Sequence, residues 1–322
     1  MDVKRFRGFL QGRNFPEDRM EAVIAGAERF EEFLSSSPYE GGRSAVDAFS
    51  HQLIAEGINE YDAFLAVVQY GRFTGDSEMV IAAIELLDGA EVLDNLYSRL
   101  AEIAGEEKRD AVFFEVALPP LGTLPQEKPD LTAKLINRME TMLSPETTHS
   151  VLKDSLRDLP DSFYQGNREK YLASQSLPDF LARKGDEFIV LLEEIKENDG
   201  LFFTQPVTDE VIAYVEAHPE VRQGVLQDGQ IIEAKIPYQT AAFLEETDPQ
   251  MQAYYYCHCP WVRESIRSGD VTVSSTFCTC SAGYHKRYWE MTLGQPLEAK
   301  VLETVLDGAP WCKFAISLPE VY

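Results

Sequence analysis

Two Cys-x-Cys motifs close to the carboxyl end of the chain hold the residues with the clearest chemical potential. One motif carries Cys257 and Cys259, and the other carries Cys278 and Cys280. Cys312 is the fifth and last cysteine, so every thiol of the 322-residue chain lies at or after residue 257. Thiolates act as nucleophiles, as redox groups and as soft metal ligands. The clustering therefore indicates one thiolate-rich centre in the last quarter of the sequence.

The spacing of the motifs constrains the backbone that carries them. Side chains two positions apart share a face on extended or turning backbone, whereas a helix separates them. The segment 271–280 is predicted to be a strand whose polar face holds Cys278 and Cys280, away from its valines. The same alternation turns His258 away from the two thiols that flank it. We therefore expect the four motif cysteines, without His258, to form the shared set.

Zinc is the metal that four thiolates suit best, because it accepts them in a tetrahedral site. Two alternatives stay open, an iron–sulfur cluster, which is less favoured, and thiols that react directly. Cys312 shares an apolar strand face with Phe314 and Ile316, which predicts a buried structural cysteine. The predicted zinc ligands are therefore Cys257, Cys259, Cys278 and Cys280.

Each motif is predicted to run into a helix, the first beginning at Pro260 and the second capped by Ser281. Cys259 and Cys280 would then face the amino termini of helices. The partial positive charge there favours a thiolate and can bind a substrate carboxylate. The motifs are thus candidates for nucleophilic chemistry as well as for metal binding.

Side chains next to the motifs complete the candidate site. Cys280 is the candidate nucleophile, and His285 and His258 are the candidate acid–base groups at neutral pH. Aromatic and basic neighbours are candidates for substrate binding, although core packing and a surface Lys–Glu pair are the simpler interpretations for some of them. These candidates are Trp261, Arg263, Tyr284, Lys286 and Trp289.

The charge of the chain excludes several classes of partner. Its 29 Lys and Arg residues face 54 Asp and Glu residues, so the net charge of −25 repels phosphate backbones and anionic lipid. No stretch is long and apolar enough to span a bilayer, and no signal peptide is readable. We expect a cytoplasmic protein with reduced cysteines and with no nucleic-acid or membrane partner. The partners that remain are a small molecule and a second copy of the chain.

The pattern of the chain predicts two domains. Apolar residues recur at helical spacing through the first hundred residues, without visible chemistry. A stretch rich in helix breakers, 118–125, then suits a linker or a long connecting loop. We expect a helical N-terminal domain over 1–125 and a Cys-rich α+β domain over 126–322.

Signals for β structure appear only in the last third of the chain. Asp228 and Gly229 stand between two runs of β-favouring residues, which predicts a hairpin. The segments 301–306 and 312–318 are predicted to form a closing pair of strands. The expected fold class is therefore α+β, with a small antiparallel sheet packed on helices.

The sequence around the cysteines resembles a known domain. Residues 257–266, 277–284 and 308–316 are similar to the L-2-amino-thiazoline-4-carboxylic acid hydrolase-like domain of bacterial proteins, and the helical front end resembles the part that accompanies it in an uncharacterised bacterial protein family. The closing Cys-x-Phe-x-Ile pattern is also similar to vinyl-reductase-type small-molecule-binding domains. Their fold is TRAPP-like, so the resemblance implies an antiparallel sheet packed against helices over about residues 126–322.

Two functions follow from these observations. The hydrolase resemblance implies opening of a C–N bond in a cyclic amidine or thiazoline carboxylate, with Cys280 or a metal-bound water attacking and His285 assisting. Four thiolates that saturate zinc leave no position for water, which instead implies a structural centre in a ligand-sensing module that does not catalyse. Binding of a small molecule is common to both functions.

Overall fold

The computed structural model describes residues 1–153 and 159–319. Most of these residues are helical, and the strands form two small antiparallel sheets in the C-terminal part of the chain. The predicted α+β class, with a helical region before a small antiparallel sheet that packs on helices, is confirmed. Within the described residues, no helix is both long enough and apolar enough to cross a membrane.

Contacts divide the chain into two compact units, each built from two stretches of sequence. The first unit consists of Met1–Ala90 and Ala117–Lys128, and the second consists of Glu91–Val116 and Pro129–Tyr322. The boundary predicted after residue 125 assigns the stretch 91–116 to the N-terminal domain, whereas the contacts group it with the C-terminal part. All five cysteines belong to the second unit.

The first unit contains the predicted N-terminal helices. They are α1 (Val3–Gly12), α2 (Glu17–Ser36), α3 (Gly42–Glu56), α4 (Tyr61–Thr74) and α5 (Ser77–Leu87). Apolar residues at helical spacing bury one face of each helix, and the Phe30 and Phe49 rings meet with centroids 4.9 Å apart. The breaker-rich stretch packs on this unit, because Ser50 Oγ donates a hydrogen bond to the carbonyl oxygen of Gly122 (2.6 Å).

The second unit contains the remaining helices. In chain order they are α6 (Val92–Ala104), α7 (Glu106–Val112), α8 (Pro129–Met142), α9 (Pro145–Lys153), α10 (Ser162–Leu172), α11 (Leu177–Glu197), α12 (Asp209–Ala217), α13 (Pro219–Arg222), α14 (Thr240–Glu245), α15 (Pro249–Tyr256), α16 (Arg263–Ser268) and α17 (Thr279–Leu293). Helix α17 packs on the sheet and on α9. Its Gly283 permits this approach, because a Cβ there would lie 1.9 Å from the carbonyl oxygen of Lys153.

Six short strands make the two sheets. They are β1 (Leu201–Phe202), β2 (Gln205–Pro206), β3 (Val225–Gln227), β4 (Gln230–Ala234), β5 (Glu298–Glu303) and β6 (Lys313–Ser317). The first two pair with each other, and the others form an antiparallel sheet of order β3–β4–β6–β5. Asp228 and Gly229 turn β3 into β4 with positive φ angles of 48° and 73°. The predicted hairpin is confirmed, and so is the pairing of the closing strands, β5 with β6. The first of these strands was predicted over 301–306, but it begins at Glu298 and ends at Glu303, before a 3₁₀ helix, Val305–Asp307.

The segment before α17 corrects the strand predicted over 271–280. It forms a 3₁₀ helix, Ser275–Cys278, which leads directly into α17. Ser274 Oγ accepts the N–H of Thr276 (3.3 Å), and the hydroxyls of both residues donate to Glu140 Oε1 (2.6 Å each). This local cap and the tertiary hydrogen bonds outweigh the β propensity of the alternating residues.

Candidate functional site

Both Cys-x-Cys motifs lie at helix ends, where the backbone turns. Cys257 follows the last residue of α15, and Cys259 lies in the turn before α16, which begins later than the predicted Pro260. Cys278 closes the 3₁₀ helix, and Cys280 lies in the first turn of α17. A turn therefore carries the first pair, whereas helical backbone carries the second, where a strand was predicted. All five cysteines are free thiols.

The structure brings the five thiols into electrostatic reach of one another. Cys257 interacts with Cys259 and Cys312. Cys278 interacts with all of the other four, Cys312 included. Cys312 is buried, with 8% of its surface exposed. Strand alternation did not reveal its place beside the motifs, because Cys312 lies just before β6 rather than within it.

The main chain donates hydrogen bonds to four of the thiols, including Cys312, which accepts the N–H of Val305. Burial raises the pKa of the Cys259 thiol to about 12 and that of the Cys280 thiol to about 11, and N–H donors act against this effect. The backbone is therefore arranged to favour negative charge on sulfur. Cys257 accepts the N–H of Cys259, Cys259 accepts that of Trp261, and Cys280 accepts that of Ser281.

Lys235 supplies a positive charge beside the cluster. Its ammonium group donates to Ser281 Oγ (3.0 Å) and lies 5.9 Å from the centroid of the Phe314 ring. Among the described residues it has no carboxylate within 4.0 Å. Sequence reasoning missed this residue, which lies far from the motifs along the chain. Against the larger effect of burial, Lys235 lowers the pKa of the thiols of Cys257, Cys259, Cys280 and Cys312.

His258 is held in place by the backbone. Its Nε2 lies 2.6 Å from the carbonyl oxygen of Ile236, so this nitrogen carries the proton and donates it. Burial and, secondarily, the charge of Lys235 lower the pKa of His258 to about 3. The ring packs edge-on against Phe203 and Tyr238. The structure thus places His258 next to the thiols as a neutral, anchored ring.

A buried polar network lies along α17, beyond the cysteines. Glu233 of β4 accepts from Lys184 Nζ at Oε1 (2.8 Å) and from His285 Nδ1 at Oε2 (2.8 Å). Burial raises the pKa of Glu233, but the ammonium of Lys184 and the hydrogen bond from His285 outweigh it and hold that pKa well below its usual range. The His285 ring stacks on Phe314 at 4.5 Å. Its Nε2 is buried and has no hydrogen-bond partner within the described part of the chain.

Three of the predicted substrate-binding residues are buried. Trp261 and Trp289 are 2% and 0% exposed. The guanidinium of Arg263, also buried, lies 4.4 Å from the centroid of the Tyr238 ring. These side chains contribute to the core, which was the simpler interpretation of the tryptophans.

The other two predicted substrate-binding residues lie on the outer side of α17. Tyr284 is exposed and meets the ring of His285 edge-on at 5.9 Å. Lys286 forms an ion pair with Glu290, one turn further along the helix (3.7 Å). The five predicted residues therefore do not line one common pocket.

Three clefts of the second unit are lined by described residues alone. One, of about 680 Å³, lies beside α10 and the C-terminal half of α17. The other two, about 310 and 330 Å³, share His149 and Lys153 of α9. Thr276 and Thr279, on either side of Cys278 in the chain, border the first of these two. None of the three linings includes a cysteine.

The donor set suits zinc chemically, although it is not arranged as a finished site. In residues 1–153 and 159–319, no group of three or more His, Cys, Asp or Glu side chains is placed so that it could hold a metal ion. Soft thiols, N–H donors aimed at sulfur and an adjacent cation are the features of thiolate–metal centres. Metal binding by the predicted set would therefore require the side chains to rotate towards one another.

No family model, no curated protein and no solved structure matches the chain. The resemblance to the hydrolase-like domain, and the activity that it implies, therefore stay predictions. The function must be inferred from the residues and their geometry.

Proposed function

We propose that the protein binds a small molecule and that its second unit is built around a zinc centre held by four thiolates. The proposed ligands are those of the two motifs, and the proposed location is the cytoplasm, where thiols stay reduced. Zinc, when bound, supplies a cross-link between the turn after α15 and the start of α17. The ligands are Cys257, Cys259, Cys278 and Cys280.

The observation that supports a thiolate centre best is the surroundings of Lys235. Lys235 is half-buried, and an anion close to it would compensate for the part of its hydration that it has lost. Lys235 lies among thiols and, within the described residues, has no carboxylate within 4.0 Å. Neutral thiols would leave its charge uncompensated. Four thiolates carry more negative charge than one zinc ion neutralises, so Lys235 and the N–H donors would offset the remainder.

The proposed role of this centre is structural. Four protein ligands complete the tetrahedral coordination of zinc and leave no position for a reacting water. Ligand binding then falls to the clefts of the second unit, none of whose described linings includes a cysteine. The non-catalytic, ligand-sensing reading is therefore the better supported of the two.

Metal analysis of protein purified anaerobically under reducing conditions tests the centre directly. We expect one equivalent of zinc per chain, its loss in Cys280→Ser, and its retention in Cys312→Ser, which removes the buried thiol outside the proposed set. Protein that contains no metal and shows five thiols open to titration in the folded state would contradict the proposal. Retention of zinc by Cys280→Ser would show that the ligand set is wrong.

Substitution of Lys235 tests the observation on which the centre rests. Lys235→Met is expected to lower zinc affinity about tenfold or more, as loss of a group next to the ligands commonly does. Lys196→Met removes the same charge from an exposed position of α11 and is the matched control. Equal zinc affinities in both variants, measured by competition with a chelator, would remove the argument from Lys235.

A second candidate function, hydrolysis of a C–N bond in a cyclic amidine, is favoured by Glu233 and His285. Glu233 holds Nδ1 of the imidazole, and Nε2 has no partner among the described residues. A carboxylate that orients an imidazole in this way is typical of a general base. Burial raises the pKa of Cys280 to about 11, so a water is a better nucleophile for this alternative than the Cys280 thiol.

Turnover of L-2-amino-thiazoline-4-carboxylate distinguishes this alternative from the first. A hydrolase of this kind should convert the compound, and His285→Asn should abolish conversion while the zinc content stays unchanged. If protein that contains its zinc does not turn over the compound, the hydrolase alternative is wrong and only the non-catalytic function remains. Turnover that survives in His285→Asn would exclude the imidazole as the base.

A further inference from the structure

The cleft beside α10 combines apolar surface with charged side chains. It has a volume of about 680 Å³ and also borders the C-terminal half of α17 and the residues that follow it. Met291 and Pro296 provide apolar surface, and Arg168 and Arg287 provide positive charge. A concave site of this size that offers apolar surface and charged groups can bind a small molecule.

Arg168 is fixed in this cleft by the main chain. Its Nη1 donates to the carbonyl oxygen of Thr292 (2.9 Å). Its guanidinium rests against Gly294, where a Cβ would lie 2.5 Å from Nη2. Gly294 ends α17 with a φ of +73°, a conformation that suits glycine. The Tyr171 ring supports the guanidinium from another side, with its centroid 6.0 Å away.

The guanidinium of Arg168 has no carboxylate partner within the described residues. Among the described residues, its hydrogen bond to the neutral carbonyl of Thr292 uses one of its five N–H donors. In a chain with a net charge of −25, a fixed cation that lies in a cleft without an acidic partner is unusual. Its planar donors match the two oxygens of a carboxylate.

The other charges of the cleft are already occupied. Arg287 donates to Asp161 (2.6 Å). Glu290 accepts the N–H of Leu297 at Oε1 (3.0 Å) and pairs with Lys286. Arg168 is therefore the charge that is left for a ligand.

We propose that this cleft binds a small organic carboxylate, with Arg168 as its anchor and the Met291 and Pro296 side as the surface for its apolar body. The proposal rests on the small-molecule half of the proposed function and is independent of the metal centre. Gly294 follows Cys280 along α17 by about 20 Å at the rise of an α-helix, so a ligand in the cleft does not reach the thiols. The site thus differs from the carboxylate site predicted at the amino termini of the helices after the motifs.

Ligand-observed NMR with benzoate as the probe tests this site in the full chain. Benzamide serves as the neutral isostere, and inorganic phosphate serves as an anion without an apolar body. We expect saturation transfer to benzoate and, in competition, little displacement by benzamide or phosphate. Arg168→Gln should weaken benzoate binding about tenfold or more, because a charge-assisted pair of hydrogen bonds is lost.

Arg183→Gln is the control, because Arg183 is exposed on α11 and outside the cleft lining, and it should bind benzoate like the original protein. Absence of benzoate binding, equal binding of benzamide, or unchanged binding by Arg168→Gln would each overturn the proposal. Preferential displacement by phosphate would show an anion site that does not require a carboxylate, which also overturns it. Zinc content measured on the same samples separates these outcomes from failure of the metal centre.

Discussion

The two ends of α17 each hold a cation that has no carboxylate partner among the described residues, but their surroundings differ. At the N-terminal end, Lys235 donates to Ser281 and lies among thiols. At the C-terminal end, Arg168 rests on the backbone and faces a cleft. Both residues are half-buried, but a cation among thiols can be compensated by thiolates of the fold, whereas a cation at a cleft can take its anion from a ligand. The comparison assigns structure to one end and binding to the other.

The middle of α17 provides the reference for both ends. There the ammonium of Lys184 is paired with Glu233, which also holds His285. A carboxylate compensates the charge of this lysine. The pairing raises the pKa of Lys184 and lowers the pKa of Glu233. Lys235 and Arg168 are thus exceptions within one helix and its neighbours. Variants at the three positions can show whether the exceptions have the proposed meaning.

The largest effect is expected from loss of the proposed zinc centre. Cys280→Ser should lower the free energy of unfolding by more than about 3 kcal/mol, because the binding energy of a structural zinc ion contributes to folding. Denaturant titration measures this change. Cys312→Ser is the control and should cost only about 1 kcal/mol. If Cys312→Ser costs as much as Cys280→Ser, Cys312 belongs among the ligands. The proposed four-cysteine centre at the N-terminal end of α17 would then be wrong.

The next effect is expected at the reference pair. Glu233→Ala leaves the charge of Lys184 and the Nδ1 of His285 without a partner in a buried place, and it should cost about 3–5 kcal/mol. Glu298 lies on β5 of the same sheet and forms an exposed ion pair with Lys153 of α9. Glu298→Ala breaks this pair and should cost less than about 1 kcal/mol. Thermal unfolding compares the two. Similar costs would show that the network along α17 is not structurally important.

The sequence predicted local structure well and distant neighbours poorly. Helical spacing identified the N-terminal helices, and Asp228-Gly229 identified the hairpin, because both signals act within a few residues. The strand predicted over 271–280 was wrong, since Ser274 and Thr276 find a tertiary partner in Glu140 that alternation cannot reveal. The prediction of one cysteine cluster rested on composition and stands apart from that strand. The choice of the four motif cysteines as the shared set also used its face alternation, which the helical backbone at Cys278 and Cys280 does not provide.

His285 was a candidate from the sequence, but its partners could not be found there. Glu233 and Lys184 come from two other segments, and a single charged residue carries no mark of the segment that it will meet. Lys235 lies beyond the end of β4, and only the pairing of that strand with β6 brings it beside Cys312. Chemistry that depends on topology of this kind becomes visible only when the fold is known.

A smaller effect is expected from pH. The folded pKa of Glu233 lies below its unfolded value, so its contribution to stability is complete above about pH 4.3 and is lost as the pH falls below that value. Burial lowers the pKa of Lys184, but Glu233 raises it by more, so the folded pKa lies above the unfolded value. The contribution of Lys184 to stability is therefore complete below about pH 10.4 and is lost as the pH rises beyond that value.

The difference in the free energy of unfolding between the original protein and Glu233→Gln reports this contribution. It should shrink as the pH falls below about 4.3 and as the pH rises above about 10.4. Denaturant titrations across this range measure it. A difference that does not change down to pH 3 would mean that Glu233 is not ionised in the fold, and Lys184 would then join the two exceptional cations.

The smallest effect is expected at the end of α17, where glycine supports the proposed anchor. Gly294→Ala places a methyl group against the guanidinium of Arg168 in a backbone conformation with a φ of +73°. Strain and contact together should cost about 1–2 kcal/mol of unfolding free energy and should displace Arg168 enough to weaken benzoate binding. Calorimetry and ligand-observed NMR measure the two quantities on the same sample.

Gly308→Ala separates the two causes. Gly308 has a similar φ of +82°, but a Cβ there would meet no atom within 4 Å, so the variant carries the backbone strain alone. It should cost about 1 kcal/mol or less and should leave benzoate binding unchanged. Weaker binding in Gly294→Ala alone would show that the position of the guanidinium, and not merely its charge, makes the cleft selective for a carboxylate. Equal binding in both variants would mean that Arg168 reaches its ligand without the support of the helix end.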